Sequence, residues 1–295
     1  MKILISSVEG NRQKLDGGAM FGNAPRPLWE KWHKPDEVGR IELACRALLV
    51  EVDGTKILCE TGIGAFFEPK LAERYGVQTP DTHVLLRSLQ ALGLAEEDID
   101  FVILSHLHFD HAGGLLRRYS ERQSGNDTLV FPKATYIVGE NAWKRCQNPH
   151  PRDRASFIPE LAKMLQDSHR LVTVPESVSS LPKLLPKCIS FFYSNGHTPG
   201  HMHTRVHGGK ETVVFCGDLI PGISWLHAPI TMGYDRYPEL LIDEKMTLYK
   251  EVVSKKELLF FTHDPGYAAS HCIMDPNHKV SAKDPIKELV RSDIS

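Results

Sequence analysis

The apolar positions of this chain fall into short runs that stop before polar, chemically active loop residues. Four of these runs combine β-branched, aliphatic and aromatic residues over four or five positions, which is typical of buried strands. The four predicted strands are Phe101–Leu104, Ile189–Tyr193, Thr212–Cys216 and Leu258–Phe261. The pattern therefore predicts a chain rich in β-sheet whose strand ends carry its chemistry.

The first hundred residues predict a hairpin and a helix. Ile41–Val52 and Lys56–Cys59 flank an Asp-Gly turn at 53–54, which is a strong short hairpin signal. Residues Asp81–Leu92 have apolar positions at helical spacing, and Asp81 is a candidate N-cap. We expect this helix to shield the first sheet.

Three further segments complete the pattern. Helix-forming residues follow Gly113 and Gly114, so a helix is expected to begin after these glycines. The polar run Ser120–Asp127 lacks apolar periodicity and predicts an exposed loop. Leu240–Val253 has the spacing of the last long helix.

The most concentrated chemistry follows the first predicted strand. Four good metal ligands occupy six positions there: His106, His108, Asp110 and His111. Because side chains alternate in direction along an extended chain, the first three can face one way while the fourth turns elsewhere. One loop could then serve two metal ions, and imidazole mixed with carboxylate is typical of an open, catalytic centre. The alternative is a histidine-rich surface loop that binds metal adventitiously.

Two catalytic metal sites need more ligands than one loop supplies. The three later strands each deliver one candidate at their carboxyl end: His197, Asp218 and His263. Among the other histidines, His201 is a candidate to orient a ligand. His203 and His207 lie beyond a turn and are expected to be solvated.

Composition narrows the possible functions. The chain has 295 residues, enough to bury a large core, and its 35 basic and 37 acidic residues give a formal charge of −2. This balance argues against a broad nucleic-acid surface. No run approaches the length of about 20 apolar residues that crosses a bilayer, and the N-terminal run is too short for a secretory signal, so we expect a cytoplasmic enzyme. Six dispersed cysteines without a C-x-x-C pair argue against a cysteine zinc site.

The order of these ligands resembles the His-x-His-x-Asp-His, histidine, aspartate, histidine pattern of the metallo-β-lactamase-fold hydrolase superfamily. The resemblance covers most of the chain. It implies an α+β fold, a four-layer αβ/βα sandwich, with residues 1–295 in a single domain. It further implies that one metal ion is held by His106, His108 and His197, the other by Asp110, His111 and His263, with Asp218 bridging.

A closer likeness lies near the N-terminus. Leu15–Gly22 and Pro25–Trp29 are similar to segments of the quorum-quenching N-acyl-homoserine lactonases and the methyl-parathion-type hydrolases. That likeness implies a substrate wall at about residues 15–40, and a homodimer. The wall candidates are Met20, Phe21 and Trp29, which would equally suit the core or a dimer contact.

Two other segments bear on the substrate. A proline-bearing break followed by the helical run Pro159–Leu165 marks a helical insertion at about 141–170, either a lid over the metals or an ordinary connection. The lactonase pattern has a carbonyl-polarising tyrosine at the position of Pro221. Tyr234 is a candidate to supply the missing hydroxyl, or it is a packed loop residue.

The expected reaction follows from the ligand set. Two divalent ions, zinc first and manganese, iron or cobalt as alternatives, would make a bridging hydroxide available near neutral pH. Asp110 could carry a proton from the nucleophile to the leaving alkoxide. We therefore expect hydrolysis of a small-molecule lactone or other ester, with no nucleic-acid or membrane partner. The alternatives are an organophosphate triester or aryl ester hydrolase and, from another class, a metal-bearing sensor without turnover.

Overall fold

The chain folds into two mixed sheets with helices on their outer faces, and the computed structural model describes all residues 1–295. The strands are β1 (Ile3–Glu9), β2 (Gln13–Asp16), β3 (Arg40–Leu43), β4 (Arg46–Val52), β5 (Thr55–Cys59), β6 (Phe101–Leu104), β7 (Thr135–Gly139), β8 (Leu171–Val174), β9 (Ile189–Ser194), β10 (His201–His207), β11 (Thr212–Phe215), β12 (Leu258–Phe260), β13 (Ala269–Met274), β14 (Val280–Ile286) and β15 (Ser292–Asp293). The α-helices are α1 (Gly17–Phe21), α2 (Arg26–Trp29), α3 (Pro69–Arg74), α4 (Val84–Ala91), α5 (Phe109–Ala112), α6 (Tyr119–Gln123), α7 (Glu140–Gln147), α8 (Leu161–Asp167) and α9 (Pro238–Lys255).

The strand order brings the predicted ligand loops to one edge of the fold. The first sheet has the order β15-β1-β4-β5-β6-β7-β8 and the second the order β14-β13-β12-β11-β10-β9. Strands β5 to β8 run parallel, as do β11 and β12. Parallel neighbours end on the same side of a sheet, so loops that follow them can share one site. The four strands predicted above are confirmed as β6, β9, β11 and β12.

Alternating side chains produce the layers. Val50 of β4 and Val213 of β11 lie in the apolar layer between the sheets, whereas their neighbours Leu49 and Val214 face outward. The outward face of the first sheet is covered by α4, α7 and α8, and that of the second by α9. This helix, sheet, sheet, helix order confirms the four-layer αβ/βα sandwich.

The predicted hairpin forms, but its first strand is interrupted. Asp53 and Gly54 both adopt positive φ, as a two-residue hairpin turn requires, and join β4 to β5. The prediction of one strand over Ile41–Val52 was wrong. The backbone of Ala44 bonds to His263 instead of a sheet neighbour, so β3 ends before it and pairs with β2.

Three local predictions are corrected. Helix α4 begins at Val84 rather than at Asp81, because the buried Asn11 side chain accepts the Val84 N–H at 3.0 Å. The polar run after Tyr119 contains the short helix α6, whose Glu121 carboxylate accepts the Arg118 N–H. The helical turn at the ligand motif, α5, precedes the two glycines instead of following them.

Gly113 and Gly114, the two glycines after the ligand motif, allow close packing against the loop after β5. A Cβ at Gly114 would lie 2.1 Å from the carbonyl oxygen of Thr61, and one at Gly113 would lie 2.3 Å from that of Ile63. The loop after β5 therefore presses directly on the ligand motif. The predicted last helix is confirmed as α9, and the segment at about 141–170 contains α7 and α8.

All six cysteines are buried, and none forms a disulfide. None of the helices combines the length and apolar character needed to span a bilayer.

Candidate metal centre

The structure brings all seven predicted metal ligands to one place. Four of them follow β6, His197 precedes β10, Asp218 follows β11 and His263 follows β12. Six of the seven side chains are buried, and Asp110 is partly buried. Donor atoms from His106, His108 and His197 lie within 4.8 Å of one another, as do those of Asp110, His111 and His263. These two groups are called the His197 set and the His263 set below.

Asp218 lies between the two sets. Its Oδ2 is 3.2 Å from His197 Nε2 and 3.3 Å from His111 Nε2. Its Oδ1 is 3.1 Å from His263 Nε2. One carboxylate therefore reaches both sets, which is the position a bridging ligand needs.

In the His197 set, two of the three imidazoles are fixed by a hydrogen bond on the side away from the centre. His106 Nδ1 donates to Ser105 Oγ at 2.9 Å, and His197 Nδ1 donates to Asp235 Oδ1 at 2.8 Å. His108 instead turns its Nδ1 inward, 3.3 Å from His197 Nε2. The bonds from Nδ1 thus orient His106 and His197 so that the Nε2 atom of each faces the centre.

The His263 set is supported in the same way from the other side. His111 Nδ1 donates to Glu60 Oε2 at 2.7 Å, and His263 Nδ1 donates to the Ala44 carbonyl at 2.7 Å. Gln13 Nε2 donates to Asp110 Oδ2 at 2.8 Å. Each ligand of the His263 set is therefore held by a hydrogen bond to another part of the protein.

The donor set fits two divalent ions. His106 Nε2 is buried and has no hydrogen-bond partner, which is costly for a polar atom unless an ion or water meets it. Imidazole nitrogens and carboxylate oxygens are the ligands that zinc, manganese, iron and cobalt accept. The histidine and carboxylate cluster thus constitutes a site for a dinuclear divalent metal centre.

Burial and neighbouring charges shift the pKa values of the ligand histidines in opposite directions. Burial and the imidazoles of His111 and His108 hold the pKa of His106 well below its ordinary value. Burial also disfavours the charged form of His111, but Glu60, Asp218 and Asp110 outweigh it and raise the pKa of that imidazole well above the ordinary value. The carboxylates around His111 therefore favour its charged form, whereas His106 stays neutral.

Burial opposes ionisation of Asp218 as well. Three imidazoles outweigh this effect and hold the pKa of the Asp218 carboxyl well below its ordinary range: those of His111, His263 and His197. The carboxylate is therefore ionised at neutral pH, the form in which it binds metal.

A cavity of about 110 Å³ opens above the centre. Five of the predicted ligands line its floor: His108, Asp110, His197, Asp218 and His263. Its walls are Leu15, Met20, Tyr75, Phe109, Ala155, Ser156, Met232 and Tyr234. Met20 and Tyr234, two of the predicted substrate residues, thus reach the cavity.

The other two predicted wall residues do not reach it. Phe21 is fully buried and stacks between Trp29 and Trp225, with ring centroids 5.8 and 4.7 Å away. Trp29 is 3% exposed and belongs to the same apolar cluster. Both rings therefore support the cavity wall from behind, because α1 turns Met20 and not Phe21 toward the ligands.

The prediction that His203 is solvated was wrong. Its ring is buried, and its Nε2 lies 2.7 Å from Ser194 Oγ. His201 Nε2 lies 3.2 Å from Ser105 Oγ, the same hydroxyl that accepts from His106. His201 thus contacts the first ligand through a serine.

Sequence reasoning missed the acids that hold the ligands. Glu60 accepts hydrogen bonds from both Ser105 and His111, and Asp235 accepts one from His197. The only sequence signal for Glu60 is its place at the end of β5, in a glycine-bearing loop. Asp235 gave no signal, because it lies 38 residues from the histidine that it orients.

This fold and this ligand arrangement define a metal-dependent hydrolase. The sequence profile of the Metallo-beta-lactamase superfamily matches residues 40–117 and 180–263, more than half of the chain, so the chain belongs to that superfamily. Both matched segments contain predicted metal ligands.

Individual relatives include several hydrolases. An N-acyl homoserine lactonase of Bacillus cereus is 26% identical over 242 residues, 73% of this chain and 79% of the lactonase. A probable metallo-hydrolase of Mycobacterium bovis is 24% identical over 269 residues, 83% of this chain and 78% of that protein.

Solved structures show the same fold. A probable metal-dependent hydrolase from Staphylococcus aureus superposes with a TM-score of 0.84 at 26% identity, covering 98% of each chain. A dizinc quorum-quenching lactonase in complex with a product superposes with a TM-score of 0.74 at 22% identity, covering 95% of this chain and 94% of that one.

Proposed function

We propose that this protein is a dinuclear-metal lactonase that opens N-acyl-homoserine-type lactone rings. The observation that carries the proposal is a complete set of metal ligands at the floor of a cavity whose walls are largely apolar. A lactone with an acyl tail has the matching chemistry, because its ester faces the ligands while its tail faces the wall. The 26% identity to a homoserine lactonase supports the same substrate class.

The seven ligands would hold two ions, proposed as zinc, with Asp218 shared between the His197 set and the His263 set. Bound ions supply a water molecule of lowered pKa and polarise the ester carbonyl. The chain's own residues supply the rest of the chemistry.

Asp110 is the proposed proton carrier. Its carboxylate lines the cavity, and Gln13 holds Oδ2, which leaves Oδ1 to receive a proton. Water adds to the carbonyl carbon, the ring C–O bond breaks, and Asp110 passes the proton of the water to the departing ring oxygen. The product is an open hydroxy acid, and Asp110 ends in the state in which it began.

Tyr234 is the proposed donor to the substrate carbonyl. Its side chain lines the cavity and is 40% exposed at the rim. Burial, together with the nearby Asp110 and Asp16 carboxylates, raises the pKa of Tyr234 to about 12, so its hydroxyl stays protonated at neutral pH. A protonated hydroxyl donates a hydrogen bond to the oxygen on which negative charge develops. It would replace the tyrosine missing at Pro221.

The apolar wall is the proposed site of the acyl tail. Met20 and Met232 offer adaptable thioether surfaces beside the ligands, and Ala155 comes from the helical insertion at about 141–170. A second cavity of about 430 Å³ shares Tyr75, Phe109 and Ala155 with the first. A tail too long for the first cavity could therefore extend past these residues.

The test is a hydrolysis panel with protein of known metal content. It compares short and long N-acyl-homoserine lactones, an aryl ester and methyl parathion, with His106→Ala as the control. We expect the highest kcat/KM for the lactones and no lactone turnover by the control.

The other outcomes are equally informative. A preference for methyl parathion would overturn the lactone proposal in favour of phosphotriester hydrolysis. Two bound ions with no turnover of any compound, but tight retention of one, would indicate a sensor.

A further inference from the structure

Two chain segments hold His197 from opposite sides. One is the loop 195–200, which carries His197 itself, and the other is the loop 227–237, which carries its partner Asp235. The second loop also donates two backbone hydrogen bonds to the first, from Arg236 N to the His197 carbonyl at 3.1 Å and from Tyr237 N to the Gly196 carbonyl at 2.8 Å. The position of His197 therefore depends on where both loops are anchored.

Helix α9 anchors the first loop. Glu244 Oε1 accepts the Asn195 N–H at 2.6 Å, and its Oε2 accepts the Gly196 N–H at 2.9 Å. The contact is close: a Cβ at Gly196 would lie 2.5 Å from Leu241 Cα. The loop thus lies flat on the helix, and one carboxylate satisfies two of its backbone donors.

The next residue of α9 anchors the second loop. Lys245 is fully buried, and its Nζ donates to the carbonyl of Ile230 at 2.9 Å, with those of Ala228 and His227 at 3.4 and 3.5 Å. Nζ forms no ion pair with a carboxylate, and burial lowers the pKa of Lys245 to about 7, an effect that the charge of Asp235 opposes. Burying a lysine amine without a charged partner is unfavourable for folding. The hydrogen bonds to the three carbonyl oxygens offset this free-energy cost.

We propose that Glu244 and Lys245 are positioning residues for the metal centre, which set the place of His197 by anchoring the two loops that hold it. Two consecutive side chains on α9 thereby fix both the imidazole and the Asp235 carboxylate that orients it. The inference rests on the dinuclear centre proposed above, but not on the identity of the substrate.

The proposal separates the two halves of the centre. Glu60 and the Ala44 carbonyl support the His263 set from the first sheet, and neither touches α9. Loss of a loop anchor should therefore weaken the His197 set and spare the His263 set. A general loss of stability would weaken both.

The test measures Co²⁺ binding in two backgrounds, each with one set disabled. In a His263→Ala background the ion that remains is held by the His197 set, and we expect Lys245→Met and Glu244→Gln each to weaken its binding about 10–100-fold. In a His106→Ala background the remaining ion is held by the His263 set, and the same substitutions should leave its affinity unchanged.

The matched control is Glu251→Gln on the same helix. Glu251 pairs with Arg205 and contacts neither loop, so this variant should bind Co²⁺ as the parent does in both backgrounds. Unchanged affinity in the His263→Ala background, or equal weakening in both backgrounds, would overturn the proposal. If Lys245→Met does not fold, the half-buried Glu244→Gln decides the outcome. Because the readout is metal binding, it stands even if lactone turnover fails.

Discussion

The floor and the wall of the cavity are built on different principles. At the floor, the imidazoles are buried, and His197 and His263 are each fixed by a hydrogen bond from Nδ1 to a protein acceptor. At the wall, Met20 and Met232 make no directional contact with the ligands, and Tyr234 is exposed at the rim. The floor thus holds the reacting groups in a fixed geometry, whereas the side chains of the wall can adapt to different substrates. Changes at the floor should abolish turnover, and changes at the wall should alter its selectivity.

The largest effect is expected at the shared ligand. Asp218→Asn removes the carboxylate charge that both sets use, so kcat/KM for a lactone should fall by at least about 1000-fold. Bound metal per chain should fall with it, as measured by elemental analysis. A variant that keeps both its metal and its turnover would show that Asp218 is not the bridging ligand.

Glu60→Gln tests the support of the floor. A glutamine side chain has only one acceptor oxygen, so it cannot accept hydrogen bonds from both Ser105 and His111 as Glu60 does. His111 and His106, which Ser105 contacts, should therefore lose their fixed orientation. We expect a loss of about 10–100-fold in metal affinity and in kcat/KM, with the same substrate preference. A changed substrate preference with unchanged metal affinity would indicate that Glu60 acts on substrate selectivity and does not support the metal ligands.

Met20→Ala tests the wall. Removing part of an apolar surface of this size should raise KM for a long-chain lactone about tenfold and leave kcat and bound metal unchanged. Met274→Ala on β13, which does not line the cavity, is the matched control. Equal effects of the two substitutions would argue against a tail site at Met20.

Phe21→Leu separates the wall from its support. Loss of stacking on Trp29 and Trp225 should lower the free energy of unfolding by about 1–3 kcal/mol in denaturant titrations. The ratio of kcat/KM for long and short lactones should stay that of the parent. A shift in this ratio comparable to that of Met20→Ala would assign Phe21 to substrate binding.

His83 gives a pH-dependent effect on stability with no effect on the reaction. Burial lowers the pKa of His83 to about 4, and its Nε2 donates to the Gly114 carbonyl at 3.0 Å. Because protonation is disfavoured in the folded state, stability present above pH 6.5 should be lost as the pH falls toward 4, by up to about 3 kcal/mol. His83→Gln should lack this component in unfolding curves between pH 7 and 4. The same pH slope in both proteins would contradict it.

The clustering of the candidate metal ligands could be predicted, because metal chemistry restricts the residue types and because each candidate follows a recognisable strand. His263 is identifiable from its place after β12, although its ligand partners lie far away in sequence. The sequence could not show which of Met20 and Phe21 lines the cavity, since both side chains suit either a cavity wall or the hydrophobic core. Only the direction of the short helix α1 decides between them.

The residues that support the ligand loops could not be predicted from the sequence for a related reason. Glu244 and Lys245 look like an ordinary charged pair on an exposed helix face, and their partners lie in distant loops. The break before β4 likewise follows from a bond between Ala44 and His263 that forms only in the folded chain. Tertiary contacts of this kind leave no periodic signal.

The most direct test of the central claim is stepwise reconstitution of metal-free protein with one divalent ion. Bound metal and opening of an N-acyl-homoserine lactone are measured at each step. We predict that turnover rises until two ions are bound per chain, one for each set, and then stays constant. Full turnover with a single bound ion, or no lactone opening with two, would contradict the assignment.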